Sequence, residues 1–161
     1  RKQGSRIVPY EPYFFPLDAI ANWNRIYGRR GFVQYQCVIP KHRGRDGLGQ
    51  ILELVSQLGS PSLLAVLKLL SRDDAGLMSF PLEGYTLALD LPATQATFTL
   101  LSQLDQLLLA FGGRIYLAKD ACQTRAVLEA GYPNLNAFRE ARKSWGADAT
   151  FKSLQSERLG L

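Results

Sequence analysis

Residues 84–119, GYTLALDLPATQATFTLLSQLDQLLLAFGGRIYLAK, contain a strand, a helix and a second strand in succession. The first segment, GYTLALDLP, alternates in polarity and is stopped by Pro92, which predicts a β-strand. Leucines at helical spacing then predict an amphipathic helix, with Thr94 as its N-cap and the glycine pair 112–113 at its end. The closing RIYLAK predicts the last strand.

The preceding part of the chain repeats this alternation. GFVQYQCVIP at 31–40 alternates between two faces and predicts a strand, and GLGQILELVSQLG at 47–59 has helical periodicity. The apolar run SPSLLAVLKLLS at 60–71 fits a helix or a strand by its pattern alone. Pro61 near its start and the turn-rich SRDDAG that ends it favour a strand.

Together these segments predict an α+β fold of ferredoxin-like order, β-α-β-β-α-β, with an antiparallel sheet and helices on one face. One helix over 17–27 should precede this unit, and two helices around 122–130 and 134–144 should follow it. Residues 1–16 hold three of the eight prolines, which predicts an extended lead-in. We therefore assign 1–16 to a lead-in and 17–161 to one domain.

Composition and charge disfavour several classes of protein. The 161 residues carry a net charge of +5, but Lys and Arg are mostly scattered, and no aromatic residues accompany the basic cluster KHRGR at 41–45. A nucleic-acid partner is therefore disfavoured. No run reaches the roughly 18 apolar residues of a transmembrane segment. Cys37 and Cys122 show neither metal-ligand spacing nor a disulfide framework, so we expect no metal and a cytoplasmic location.

The sequence contains no motif for independent catalysis. His42 is the one histidine and stands in the basic loop, where a surface position is expected. A Walker loop, GxSxG and HExxH are absent. The pattern predicts a binding surface rather than a complete enzyme.

Strand parity divides the side chains of the predicted sheet between its two faces, and the main apolar set belongs to the helix side. The opposite face contains Gln34, Gln36, Lys68, Thr86, Ala88, Asp90, Arg114 and Tyr116. This face could simply meet water. Lys68 nevertheless has apolar neighbours there, Leu64, Val66 and Leu70, which favours a ligand-binding wall. Parity places Lys119 on the helix side, although a bulge at the strand end could turn it.

Four segments resemble the C-terminal part of FAD-linked sugar and alditol oxidases. They are FFPLDAIANWNRIYGRRGFVQYQCVIP, LLAVLKLL, LMSFPLEGYTLALDLP and GGRIYLAKDA, in this order. The group includes D-arabinono-1,4-lactone oxidase-like and decaprenylphosphoryl-β-D-ribose 2′-oxidase-like flavoproteins of the vanillyl-alcohol-oxidase type. The resemblance covers nearly the whole chain.

The resemblance implies an FAD-dependent oxidoreductase that oxidises a CH–OH group of a sugar or polyol by hydride transfer to the flavin. An N-terminal domain of the same polypeptide, absent from this chain, would hold most of the FAD. This chain would be the substrate-binding (cap) domain and would be inactive alone. It begins at Arg1 and contains no FAD-binding segment, so we expect it to be part of a longer protein.

The resemblance also assigns roles to residues. Lys119 of the AKD motif would lie near the flavin and stabilise the negative charge that hydride transfer creates. Tyr116 would also contact the cofactor, and Lys68 is a second candidate catalytic residue. The expected substrate-binding residues are Gln34, Gln36, Tyr116, Thr86, Ala88, Trp23, Asn24 and Phe14. Ala88, Thr86 and Phe14 differ from the residues of some relatives, so we expect a sugar or polyol rather than a lipid-linked ribose.

A second hypothesis stays open beside the oxidoreductase. The chain could be a stand-alone ferredoxin-like domain that binds a ligand or regulates another protein, without redox activity. An FAD domain encoded upstream in the same reading frame would favour the first hypothesis, and a start codon directly before Arg1 would favour the second.

Overall fold

The structure, a computed structural model, describes residues 6–16, 18–57, 59, 62–71 and 76–161. The chain divides into two compact units, Arg1–Gly31 and Phe32–Leu161. The boundary between them falls at Gly31, whose φ of 67° lies in the region that favours glycine. The sequence-based assignment instead separated a lead-in from a domain after residue 16.

Among its described residues, the first unit contains two short helices. Helix α1 (Tyr10–Phe14) lies within the segment that was expected to be an extended lead-in. The helix expected over 17–27 is reduced to turns followed by a 3₁₀ helix, Trp23–Tyr27, while Leu17 lies outside the described residues. Asn22 has a φ of 56°, and this left-handed conformation interrupts an α-helix at that point.

Four strands form one antiparallel sheet among the described residues. They are β1 (Phe32–Pro40), β2 (Ala65–Leu70), β3 (Gly84–Pro92) and β4 (Arg114–Ile115). The strand order is β2–β3–β1–β4, so β3 separates β1 from β2. This split arrangement confirms the α+β prediction of ferredoxin-like order.

The strand register places the polar residues together, because directly paired residues of antiparallel strands point to the same face. The pairs are Gln34 with Asp90, Gln36 with Ala88, and Lys68 with Thr86. We call this side of the sheet the open face. It is defined by Gln34, Gln36, Lys68, Thr86, Ala88, Asp90 and Tyr116.

Two helices cover the other side of the sheet, α2 (Gly44–Ser56) and α3 (Gln95–Ala110). The Thr94 hydroxyl accepts a hydrogen bond from the Thr97 N–H, which confirms the predicted N-cap of α3. The core between these layers contains Tyr35, Cys37, Ile39, Ile51, Val55, Leu87, Leu89, Leu91, Leu104, Leu108 and Ile115. The apolar parity assignment of β1 and β3 is therefore confirmed.

The C-terminal part of the chain packs beside β4. Strand β4 is followed by α4 (Arg125–Gly131) and α5 (Leu135–Ser144), as predicted, and then by the short α6 (Ala147–Thr150) and α7 (Leu154–Leu159). A second apolar cluster contains Leu128, Tyr132, Leu135 and Leu159. The Tyr132 hydroxyl donates a hydrogen bond to the Ile115 carbonyl at 2.6 Å, which ties this cluster to the sheet.

Candidate functional site

The open face brings together six of the residues predicted from the sequence to form a site. Gln34 and Gln36 come from β1, Thr86 and Ala88 from β3, and Lys68 from β2. Tyr116 directly follows β4, and its N–H donates to the Gln36 carbonyl at 2.8 Å. Side chains on paired strands are held by the backbone ladder, so this is a rigid platform.

Lys119 reaches the same face by a route that strand parity did not predict. The expected strand over 114–119 ends at Ile115, and Leu117–Lys119 form a 3₁₀ turn. The turn changes the direction of the chain, so alternation no longer applies. The Lys119 ammonium donates a hydrogen bond to Gln34 Oε1 at 2.6 Å. The parity assignment of Lys119 to the helix side is thereby corrected.

A hollow of about 450 Å³ lies at one end of the open face. Its polar lining consists of Gln36, Lys68, Thr86 and Tyr116, and its apolar lining consists of Leu70, Met78, Phe80, Pro81, Leu117 and Tyr132. The Gln36 amide nitrogen lies 3.1 Å from the Thr86 hydroxyl, and donates a hydrogen bond to it. The mixture of a few polar groups with aromatic and aliphatic walls is typical of small-molecule sites.

Residues 78–81, which precede β3, supply one wall of this hollow. The Phe80 and Tyr116 rings lie 4.7 Å apart at an angle of 35°. Arg114 donates a hydrogen bond from Nη1 to the Ser79 carbonyl at 2.9 Å, and its guanidinium lies 5.3 Å from the centre of the Tyr132 ring. Residues 78–81 therefore wall the open face at this end.

A buried polar cluster beneath the sheet was not predicted. Asp105 of α3 is only 5% exposed, and burial raises the pKa of its carboxyl to about 7. The nearby Tyr35 hydroxyl lowers the pKa of this carboxyl, whereas the negative charge of Asp120 raises it further. With Gln123, these residues line a cavity of about 10 Å³. The signal in the sequence was an aspartate at the leucine spacing of α3, between Leu101 and Leu108.

Three predicted substrate residues belong to the N-terminal unit rather than to the sheet. Phe14 ends α1 and is 60% exposed, and Trp23 and Asn24 begin the 3₁₀ helix. The side chains of Trp23 and Asn24 lie outside the described part of the structure. Their role in substrate binding stays a prediction.

Other candidate groups take ordinary positions. His42 lies in an exposed 3₁₀ turn, Lys41–Arg43, as expected of a surface residue. Cys37 is buried and Cys122 is half-buried, and both are free thiols. The described residues contain no cluster of three or more His, Cys, Asp or Glu side chains that could hold a metal ion. None of the helices in the described ranges is long and apolar enough to cross a membrane.

The fold and the open face define an α+β sheet domain with a ligand-sized hollow on one side. No protein-family model matches the chain. Over 164 aligned positions it is 33% identical to decaprenylphosphoryl-β-D-ribose oxidase from Mycolicibacterium smegmatis, covering 100% of this chain and 35% of that protein. This similarity confirms the resemblance inferred from the sequence and is consistent with a C-terminal domain of an FAD-linked oxidase.

A second relative comes from Streptomyces coelicolor and is described as an uncharacterized protein in the mprA 5′ region. It is 36% identical over 132 residues, covering 81% of this chain and 36% of that protein. The chain therefore spans about a third of the length of the curated relatives it matches.

Proposed function

We propose that this chain is the substrate-binding domain of an FAD-dependent oxidoreductase that oxidises an alcohol of a sugar or polyol. One observation carries the proposal: Lys119, Gln34, Gln36, Lys68, Thr86 and Tyr116 converge on one face of a rigid sheet. The similarity to an oxidase named for a ribose derivative supports the sugar class. The FAD domain would belong to the same polypeptide, and this chain alone would be inactive.

The donors on the open face fit the flavin that the resemblance implies. The Lys119 ammonium has three N–H donors and uses one of them for the hydrogen bond to Gln34. The other two could donate to the acceptor atoms at the edge of the flavin ring. Lys119 and Tyr116 would hold the isoalloxazine, and the ammonium would favour a ring system that gains negative charge. FAD, when bound, would supply the hydride acceptor. The chain's own contribution is a fixed positive charge and a rigid wall.

The hollow suits the hydroxylated substrate. The Gln36 amide offers both a donor and an acceptor, the Lys68 ammonium offers donors, and the Thr86 hydroxyl offers both, as hydroxyl groups of a sugar require. The Phe80 and Tyr116 rings, which are tilted against each other, offer apolar surface for C–H groups. Ala88 keeps the middle of the face shallow between Gln36 and Val66.

The test is a Lys119→Met variant of the polypeptide that includes the FAD domain. Methionine keeps the length of the side chain and removes the charge, so flavin reduction by substrate should slow about 100-fold. The amount of bound FAD, read from its absorbance, should stay close to the wild-type value. Lys143→Met, which changes an exposed lysine of α5, is the matched control. Stopped-flow reduction at the wild-type rate would reject the proposed role of Lys119.

A second candidate is a ligand-binding domain without redox activity, and one observation favours it. The described residues of the second unit form the hollow without the first unit. This candidate predicts that the protein is encoded without an upstream FAD domain. The coding sequence before Arg1 therefore separates the two.

We keep a cytoplasmic location as part of the proposal, supported by the two free thiols.

A further inference from the structure

Lys119, Gln34 and Asp90 form a continuous chain of hydrogen bonds across the open face. The Lys119 ammonium donates to Gln34 Oε1 at 2.6 Å, and Gln34 Nε2 donates to Asp90 Oδ1 at 2.8 Å. Asp90 is 3% exposed and stands directly opposite Gln34 in the β1–β3 register. The sheet itself thus holds the amide and the carboxylate side by side.

The chemistry of the two ends permits a single orientation of the amide between them. An ammonium can only donate hydrogen bonds, and an ionised carboxylate can only accept them. If the Gln34 amide turned over, its NH₂ group would face the ammonium and its oxygen would face the carboxylate. Both hydrogen bonds would then be lost, and two repulsive contacts would replace them. Lys119 and Asp90 therefore impose the same orientation on the Gln34 amide, one from each end.

The backbone of Asp90 is also fixed on the side facing β2. Its N–H is 3.1 Å from both the Ser62 hydroxyl and the Leu64 carbonyl. Burying a carboxylate costs free energy unless hydrogen bonds or nearby positive charge stabilise it. The Gln34 amide donates one such hydrogen bond and links the carboxylate to the ammonium of Lys119. The ammonium is thus linked, through Gln34, to a residue that does not touch it.

We propose that Asp90 is a positioning residue, whose buried carboxylate orients the Gln34 amide so that Gln34 Oε1 anchors the Lys119 ammonium on the open face. The inference rests on the proposed function in one respect: the anchored ammonium matters for catalysis only if it is the group that lies beside the flavin. The hydrogen-bonded chain itself belongs to this protein without any cofactor.

The test exchanges the polarity of the pair. Gln34→Glu alone sets two carboxylates against each other, and Asp90→Asn alone removes the charge that holds Gln34 Nε2, because an asparagine amide can pair with either end of the Gln34 amide. The double variant, Gln34→Glu with Asp90→Asn, has the wild-type net charge. In it, the carboxylate introduced at position 34 can accept from both Lys119 and the new amide at position 90, so position 34 is again hydrogen-bonded to both neighbours.

The readout is the acetylation rate of individual lysines in the flavin-free chain, measured by mass spectrometry, with Lys143 as the internal reference. An anchored ammonium reacts slowly, so Asp90→Asn should raise the relative rate of Lys119 at least about threefold, and the double variant should return it close to wild type. Circular dichroism checks that each variant is folded. If Asp90→Asn does not fold, Gln34→Met replaces it, since it also breaks the link to Lys119.

An unchanged Lys119 rate in a folded Asp90→Asn or Gln34→Met variant overturns the inference, as does a double variant that reacts no more slowly than the singles. If Asp90 had only a structural role, its replacement would lower the melting temperature without a change in acetylation rate confined to Lys119. Because no flavin is present, this result is independent of the stopped-flow test. A wild-type rate of flavin reduction in Lys119→Met would reject the proposed role of Lys119 in flavin reduction while leaving the positioning of Lys119 by Asp90 intact.

Discussion

At the scale of single residues, Asp105 makes the fold sensitive to pH. Burial is the largest cause that raises the pKa of its carboxyl from 3.8 to about 7. Because the folded-state pKa is the higher one, the native state binds this proton more tightly than the unfolded state does. The stabilising contribution is fully present below about pH 4, and it is lost as the pH rises toward 7.

Replacement of Asp105 by Asn should remove this dependence, since the amide does not titrate. Relative to wild type, the variant should gain on the order of 2 to 3 kcal/mol of unfolding free energy between pH 4.5 and pH 8. Urea denaturation at the two pH values measures this difference. Asp46→Asn, at an exposed position of α2, serves as the control. Equal differences from wild type at both pH values would contradict the raised pKa.

Lys119 shows how far residue-level prediction from the sequence could go. The family resemblance proposed it as a residue beside the flavin, which stays a prediction, and strand alternation gave the wrong side because alternation presumes a continuous strand. The strand ends at Ile115, and the turn that follows is held by tertiary contacts from the C-terminal helix. Gln34 was predicted as a substrate-binding residue, but its link to Asp90 could not be predicted without the register of β1 on β3.

At the scale of elements, α7 fixes the turn that carries Lys119. Gln155 donates hydrogen bonds to the Leu117 carbonyl at 2.7 Å and to Asp120 Oδ2 at 3.1 Å. Arg158 pairs with the same carboxylate oxygen at 2.7 Å and also donates to the Gln123 carbonyl. The Asp120 side chain is only 1% exposed. Among the described residues, Gln155 and Arg158 of α7 are the side chains that stabilise this buried charge.

The Arg158→Gln variant should therefore loosen the turn, because it leaves a buried carboxylate with one charged partner fewer. We expect a loss of about 1 to 2 kcal/mol of unfolding free energy. Backbone hydrogen exchange over residues 117–123 should become faster, as measured by mass spectrometry. Arg125→Gln is the matched control, since Arg125 pairs with Glu129 at the surface and that pair should contribute much less. A loss no larger than that of the control would contradict this role of α7.

The helices and strands were predictable where a strong pattern and a chemical stop signal coincide. β3 and α3 combine clear periodicity with Pro92, the Thr94 cap and Gly112, and the structure agrees with them closely. The tail from Phe151 onward has a short pattern, and α7 forms there through a Ser153 capping box and through contacts with residues distant in sequence. Those contacts are tertiary and leave no local signal.

At the scale of the whole molecule, the sheet separates an apolar core from a polar open face, but its edge departs from the expected pattern. Leu63 and Leu67 have the parity of the core side, yet they are 51% and 57% exposed. The core cluster of the described residues contains members of β1, β3 and β4 and none of β2. The parity of β2 was predictable, but the reach of the covering helices depends on packing that the sequence pattern does not encode.

The central claim is that the open face of the sheet lies against a flavin and its substrate. Its most direct test is lysine acetylation of the polypeptide that includes the FAD domain, with FAD bound and with FAD removed, followed by mass spectrometry. With FAD bound, Lys119 should be protected, and a substrate analogue should add protection at Lys68, while Lys41 and Lys143 react equally in every state. If Lys119 and Lys68 react as fast in the flavin-loaded, analogue-bound protein as in the flavin-free protein, the open face does not meet the flavin, and the account is wrong.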